Sequence, residues 1–337
     1  MKASYTDVTE EYTALRETCG LIDYEGMGLV RVSGPGAADY LGRVATRGVD
    51  FLLEGQAMAA LLLRENGTVI AEVLIHCHAA HYLVEIWPAQ AKEATGHLIA
   101  EATAYEDVTA QDVSAEYAVL ALEGPESFKL ARKYLPFPVA SMAYRSFATA
   151  DWGGGRDLVV SRTGITGEYG YKFFVPAADG AELRAELLAL GARECGKDAL
   201  DVCRMEVRFA SLEQESAGGQ VTPFEVGLQW MIDPGHESAG RLAEDGGRGR
   251  TPVCWIAWEA SAGRPEPGTA IAVRDAEVGI VTHTVWSPRL GRVIGTGRVD
   301  AEVAASGQEF MLAGSGDAIR TVSAPFLTAT SLDVPLD

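Results

Sequence analysis

The chain has 337 residues, 47% of them hydrophobic, and a formal net charge of −19 from 28 Lys+Arg against 47 Asp+Glu. That length suits two or three domains, each with its own core. The acidic balance opposes binding to nucleic acid or anionic lipid, and neither an apolar run of about 18 residues nor a signal-peptide core occurs, so a cytoplasmic protein without a membrane span is expected.

In chain order, residues 7 to 18 carry helical spacing. The stretch GLVRVSGPGAADYLGRVAT predicts a strand, a turn at Ser33–Gly36 and a helix from about Ala37. Strands follow at Met58–Arg64, Val69–Cys77 and Tyr82–Trp87, with turns at Glu65–Gly67 and Ala79–Ala80. AQAKEATGHLIAEAT is a helix. YAVLALEGPESFKLARKYL repeats the plan of strand, Gly-Pro turn and helix, so Leu29–Gly42 and Val119–Leu135 form a weak internal repeat. DLVVSRTG and YGYKFFVP are strands. GAELRAELLALGARECG is a helix ending near Gly196, and DALDVCRMEVRFASLE is another. PGHESAGRLAEDGGRGRT is Gly-rich and charged, and reads as a linker. The short, closely spaced strands beyond it predict a small β-barrel or sandwich. The fold class is therefore α+β: a first lobe over 1–115, a second over 116–240, and a β-barrel over 250–330.

The five cysteines are odd in number and include no CxxC pair, so reduced thiols are expected rather than disulfides or a zinc site. His76, His78 and His81 in IHCHAAHY could meet across a turn, but no carboxylate stands at a matching offset. They read as hairpin residues, and no metal is expected. GxSxG, Walker A and GxGxxG are absent, which argues against a serine hydrolase and nucleotide-dependent chemistry.

The segment SRTGITGEYGYKF, residues 161 to 173, places Gly164, Gly167 and Gly170 around one carboxylate, Glu168. Three glycines let a backbone approach a ligand closely, although the same spacing also makes a plain turn. Asp23 and Glu25, at i and i+2, are solvated or border a cavity as acid and base.

Several stretches resemble the glycine-cleavage T-protein (aminomethyltransferase) family, collinearly from about Cys19 to Phe326. They are CGLIDYEGMGLVRVSGPGAADYL, NGTVIAEVLI, LALEGP, SRTGITGEYGY, DALDVCRMEVRF with TPFEVGLQWMI, VGIVTHTVWSPRLGRVIGTGRV, and APF. The resemblance implies three domains around a central cavity that takes up tetrahydrofolate. It further implies that Glu168 clamps the pterin, that Arg204 and Met27 lie near the folate, and that Tyr82 and Trp87 border it. Family members take a methylene from an aminomethyl-lipoyl arm or demethylate small molecules; iron–sulfur assembly factors share the fold.

Several positions depart from the family pattern. Its paired Asp-Asp is Ala71-Glu72 here, its Asn aligns with Trp87, and its N-terminal GAkmvdFaGWxMPxxY segment has no counterpart. The iron–sulfur signature is missing from EVRFASLEQES. The expectation is folate-dependent one-carbon transfer to or from a small molecule, without glycine cleavage, with Glu72, Glu25 and Asp23 as candidate acid–base residues. On position 72 two settings remain open: a buried face, where an unpaired carboxylate is costly, or a solvated one. The alternatives are an enzyme that uses the same cavity without folate, and a non-catalytic folate-binding protein or subunit of a partner.

Overall fold

The computed structural model describes residues 1–235, 253–260 and 263–336. The expected linker falls mostly outside them. The chain divides into two compact units, one of residues 1–62, 70–203 and 328–337, the other of 63–69 and 204–327.

The first unit holds both expected lobes as two sheets. After helix α1 (Val8–Glu17), strand β1 (Gly20–Asp23) leads into β2 (Gly28–Ser33) and helix α2 (Ala37–Val44). Strands β3 (Ala57–Leu63), β4 (Val69–Cys77) and β5 (His81–Ile86) precede helix α3 (Pro88–Ala102) and β6 (Thr109–Asp112). These make a five-stranded sheet in the order β3-β4-β5-β2-β6. Strand β7 (Tyr117–Glu123) and helix α4 (Ser127–Ala131) repeat the plan of β2 and α2. In both copies the Gly-Pro turn opens on a glycine at positive φ, +107° at Gly34 and +130° at Gly124, as a reversal this tight requires.

Strands β8 (Phe147–Asp151), β9 (Asp157–Ser161) and β10 (Gly170–Pro176) then build the second sheet, followed by helix α5 (Gly180–Ala189), β11 (Arg193–Glu194) and helix α6 (Lys197–Val207). Its order is β11-β1-β7-β10-β9-β8. Strand β1 therefore belongs to the second lobe's sheet although it lies within residues 1–115. It pairs antiparallel with β7 and parallel with β11, contacts that no local pattern encodes.

Two helices are shorter than their sequence patterns. The stretch expected to run helical to Gly196 stops at Ala189. Gly191 reverses the chain at φ +103°, and Arg193–Glu194 add to the edge of β1. α6 stops before Arg208, which has a positive φ of 60°, and helix α7 (Leu212–Glu215) starts afresh.

The alternation in β4 and β5 separates two faces. Ala71, Val73, Ile75, Val84 and Ile86 enter the apolar core shared with α2 and α3. Glu72, Leu74 and His76, with Glu85 opposite Leu74, point the other way. A second core gathers Leu120, Leu122, Tyr171, Phe173 and Val175 with Leu183 and Leu187 of α5. Each such fully buried large side chain contributes about 1.5–3 kcal/mol.

In the second unit, strands β12 (Val253–Ala260), β13 (Ala270–Val273), β14 (Ala276–Ser287), β15 (Arg292–Asp300), β16 (Glu309–Leu312) and β17 (Ala318–Val322) close a barrel in the order β12-β15-β14-β13-β16-β17. Its interior is filled by Trp258, Ile271, Val281 and Phe310. The barrel falls within the expected 250–330, and residues 204–235 cluster with it.

Candidate functional site

The Gly-rich segment 163–170 encloses a carboxylate, and that carboxylate is Glu123. Its oxygens accept from the backbone N–H of Ile165 (3.0 Å) and Thr166 (3.4 Å) and from the Thr166 hydroxyl (2.7 Å). A Cβ on Gly164 or Gly170 would stand 2.7 or 2.4 Å from the other's Cα, and 2.9 or 2.7 Å from Glu123 Oε2. The glycines let two backbone strands cross over a buried acid. Burial raises the Glu123 carboxyl, opposed by these hydrogen bonds and by Lys172.

Glu168 faces away from that cradle and is surrounded by protein donors. Oε1 accepts from Arg16 Nη1 at 3.2 Å and from Thr330 N–H at 3.1 Å; Oε2 accepts from the Ser331 N–H and hydroxyl, both at 2.7 Å. Its side chain has no exposed surface. Arg16 is anchored in turn on the carbonyls of Thr166 (2.8 Å) and Cys203 (2.9 Å). The pterin-clamp role implied for Glu168 needs oxygens open to a ligand, and here four protein donors occupy them.

A second buried network spans the two sheets. Lys172 donates to Glu85 Oε1, and His76 Nε2 lies 3.1 Å from Glu85 Oε2. All three residues are at most 5% exposed. Burial pushes the Glu85 carboxyl up, but Lys172 and His76 outweigh it and hold the group at about 2. Tyr24 and Trp87 meet edge to face at 5.5 Å, and Lys172 lies 5.2 and 5.9 Å from their ring centroids, within range of cation–π attraction. Trp87, expected beside a folate, thus closes over the ion pair. Tyr82 lies on the opposite face of β5, against the helix-side core.

The three histidines do not converge. His76 is committed to Glu85, while His78 and His81 stack at 4.6 Å with rings 6° apart. His76 is 1% exposed. Among the described residues no group of three His, Cys, Asp or Glu could hold a metal.

Ala71 lies wholly within the apolar core, and its neighbour Glu72 is half-buried on the opposite face. Of the two positions where the family motif has Asp-Asp, position 72 therefore faces out of the helix-side core. Tyr144 lies near enough to feel both Glu123 and Glu72; burial and these carboxylates raise its phenol, against Arg145. Asp23, Glu25 and Met27 line a separate cavity of about 720 Å³ beside α3. Arg204, half-buried on α6, donates to the Ala210 carbonyl; Glu206 accepts from the Ser287 hydroxyl.

Sequence reasoning passed over Arg16, Glu85, Lys172, Glu123 and Tyr144. For two of them a signal was present: single charges inside the apolar strand runs YLVEI and YGYKFFV are costly unless paired.

A two-sheet α+β unit followed by a closed six-stranded barrel is the architecture of an aminomethyltransferase-like protein. The GCVT N-terminal domain model matches residues 2–235, and the glycine cleavage T-protein C-terminal barrel model matches 255–327. The chain belongs to the glycine-cleavage T-protein family. It is 32% identical over 322 residues to an aminomethyltransferase of Geobacillus kaustophilus, covering 92% of this chain and 86% of that one. To its counterpart in a Parafrankia species it is 31% identical over 334 residues, covering 96% and 90%. The crystal structure of the glycine cleavage system aminomethyltransferase T from Bartonella henselae superposes with a TM-score of 0.86 at 20% identity, covering 97% of this chain and 91% of that one, a likeness of fold.

Proposed function

We propose that this protein is a one-carbon transferase that uses tetrahydrofolate to move a methyl or methylene group to or from a small molecule, with Glu72 as its general acid–base. The observation that carries the reading is the division of faces at Ala71 and Glu72. Ala71 fills the core, and Glu72 keeps a carboxylate on the other face of β4 where the family motif has Asp. Tetrahydrofolate, when bound, supplies the nitrogen that carries the one-carbon unit. Glu72 holds or releases a proton beside the reacting atoms, with Tyr144 nearby as a neutral phenol. Met27, Trp87 and Arg204 stay in the proposal as folate contacts on the strength of the resemblance.

Glycine cleavage is not part of the proposal. Glu72 is one methylene longer than Asp, and reacting geometries are sensitive at roughly the 1 Å level. Ammonia release from an aminomethyl-lipoyl protein in the presence of tetrahydrofolate would overturn that exclusion.

A second reading has the same scaffold working without folate, with Glu72, Asp23 or Glu25 as acid or base. The saturation of Glu168 by four donors favours it. Calorimetric titration with tetrahydrofolate separates the two. Saturable binding supports the first reading, and no binding at high micromolar concentration leaves the second.

A further inference from the structure

We propose that Tyr144 is the acid partner of Glu72, a phenol and a carboxylate working one proton-handling site, and that Arg145 is the residue that positions it. The inference rests on the reading of Glu72 as general acid–base and adds the group that works opposite it.

The two sheets of the first unit meet in steps of two residues. Phe174 of β10 meets His76 of β4 with ring centroids 5.5 Å apart. Two residues back, Lys172 donates to Glu85, which stands opposite Leu74. A further step of two reaches Gly170 on β10 and Glu72 on β4, because alternate residues of a strand share a face. Gly170 pairs with Glu123, and a Cβ on Gly164 would stand 2.7 Å from the Gly170 Cα. Glu72 is thereby set toward the place where Gly164 crosses Glu123. The Tyr144 hydroxyl arrives at the same crossing, 3.5 Å from the Gly164 carbonyl oxygen.

Arg145 accounts for that placement. Its φ is +61°, uncommon for a residue with a side chain. The backbone is pinned on both sides: the Arg145 N–H donates to the Arg162 carbonyl (2.9 Å), and the Arg145 carbonyl accepts from the Ala57 N–H (2.8 Å). In extended backbone, neighbouring side chains point to opposite faces. The left-handed turn instead carries the guanidinium carbon to 5.5 Å from the centroid of the Tyr144 ring, and Arg145 hydrogen-bonds the phenol. Backbone strain held in this way by its surroundings clusters at functional sites.

The groups around the hydroxyl divide the work. Burial keeps the phenol neutral and therefore able to give a proton; Arg145 eases the loss of that proton, and Glu123 and Glu72 oppose it. Tyr144 is 51% exposed, so a ligand can reach it. Tyr144 gives a proton where Glu72 takes one, and the pair together keeps its net charge.

The test is a pH titration of the full chain carrying tyrosine isotopically labelled at Cζ, read by NMR, with the Tyr144 signal assigned as the one missing in Tyr144→Phe. Its midpoint should lie above the ordinary 10 and fall by roughly 0.4 pH unit or more in Glu72→Gln, which removes a facing negative charge. Arg145→Met should raise it, Arg145→Lys should recover part of that rise, and Glu25→Gln should leave it in place. A midpoint unmoved by Glu72→Gln overturns the pairing; one unmoved by Arg145→Met overturns the positioning role. Should Glu72→Gln fail to fold, the unaltered chain decides. Its Tyr144 signal should also shift at roughly pH 4–6, where a facing carboxylate titrates, and a flat trace there overturns the proposal. Addition of tetrahydrofolate separates this inference from the folate reading. Coupling of Tyr144 to Glu72 with no response to tetrahydrofolate removes folate and leaves the pair standing, whereas missing coupling overturns the pair even where tetrahydrofolate binds.

Discussion

Glu168 and Arg16, 152 positions apart in sequence, meet as a salt bridge of 3.2 Å with side chains 0% and 2% exposed. Residues from α1, from the Gly-rich segment and from the C-terminal turn of helix at Thr330–Asp333 converge on this pair.

The first prediction follows from that convergence. Glu168→Ala leaves the Arg16 charge buried and the Ser331 and Thr330 donors without their acceptor. Removing one partner of a buried ion pair costs about 3–5 kcal/mol. Urea denaturation should show a loss on that scale; a variant as stable as the parent would refute the structural role.

For the second network, Lys172→Met should be destabilising by about 3–5 kcal/mol, because it strands Glu85 in the interior. Adding Glu85→Gln should recover a large part of that loss, since the pair's desolvation cost disappears with both charges. A double-mutant cycle measures the coupling. Strictly additive losses would mean that the two side chains do not act as a pair.

Glu72→Gln should lower turnover by roughly 10²–10⁴, the scale of acid–base catalysis, without shifting the unfolding midpoint. Glu72→Asp, which restores the family's residue, should retain more activity than the Gln variant. Full turnover in Glu72→Gln would pass the role to Asp23 or Glu25.

The pH dependence of stability should show two separate windows. Burial, then His81, His76 and Arg31, lowers the His78 imidazole from 6.5 to about 4. The unfolded chain then takes up the proton more readily than the folded one, so stability is fully present above pH 6.5 and falls as pH drops toward 4. Because His78 is partly open to solvent, screening limits this to about 1 kcal/mol. His81 is lowered too and adds in the same direction. Glu85, held at about 2 against an ordinary 4.5, contributes stability above 4.5 that is lost as pH falls from 4.5 to 2. Thermal unfolding from pH 8 to 3 should show the upper window flatten in His78→Phe while the lower one remains.

The strands of both sheets and of the barrel were legible because alternation and Gly-containing turns are local signals, and β4 runs over the expected Val69–Cys77. The place of β1 in the second sheet was not, because its partners β7 and β11 lie about 100 and 170 residues away in sequence. Glu168 was over-read for a related reason. A carboxylate among glycines looks the same whether it faces a ligand or a donor at Ser331, and only the tertiary structure says which. Glu72 lies half-buried on the face of β4 opposite Ala71 and Val73, as the strand's alternation requires. Which position of the Ala71-Glu72 pair faces the helix-side core became decidable once Ala71 was seen within it.

The last ten residues belong to the first unit, not to the barrel that precedes them. Ser331 donates to Glu168 and accepts from the Tyr169 N–H, and the Tyr169 hydroxyl donates to the Val334 carbonyl at 2.6 Å. On the ribosome, a domain that emerges early normally folds before the next is made. Here the first unit cannot acquire its closing hydrogen bonds until the whole barrel sequence has been translated. Nascent chains halted near residue 320 should therefore carry a protease-sensitive first unit, and release of the final segment should be the event that seals it.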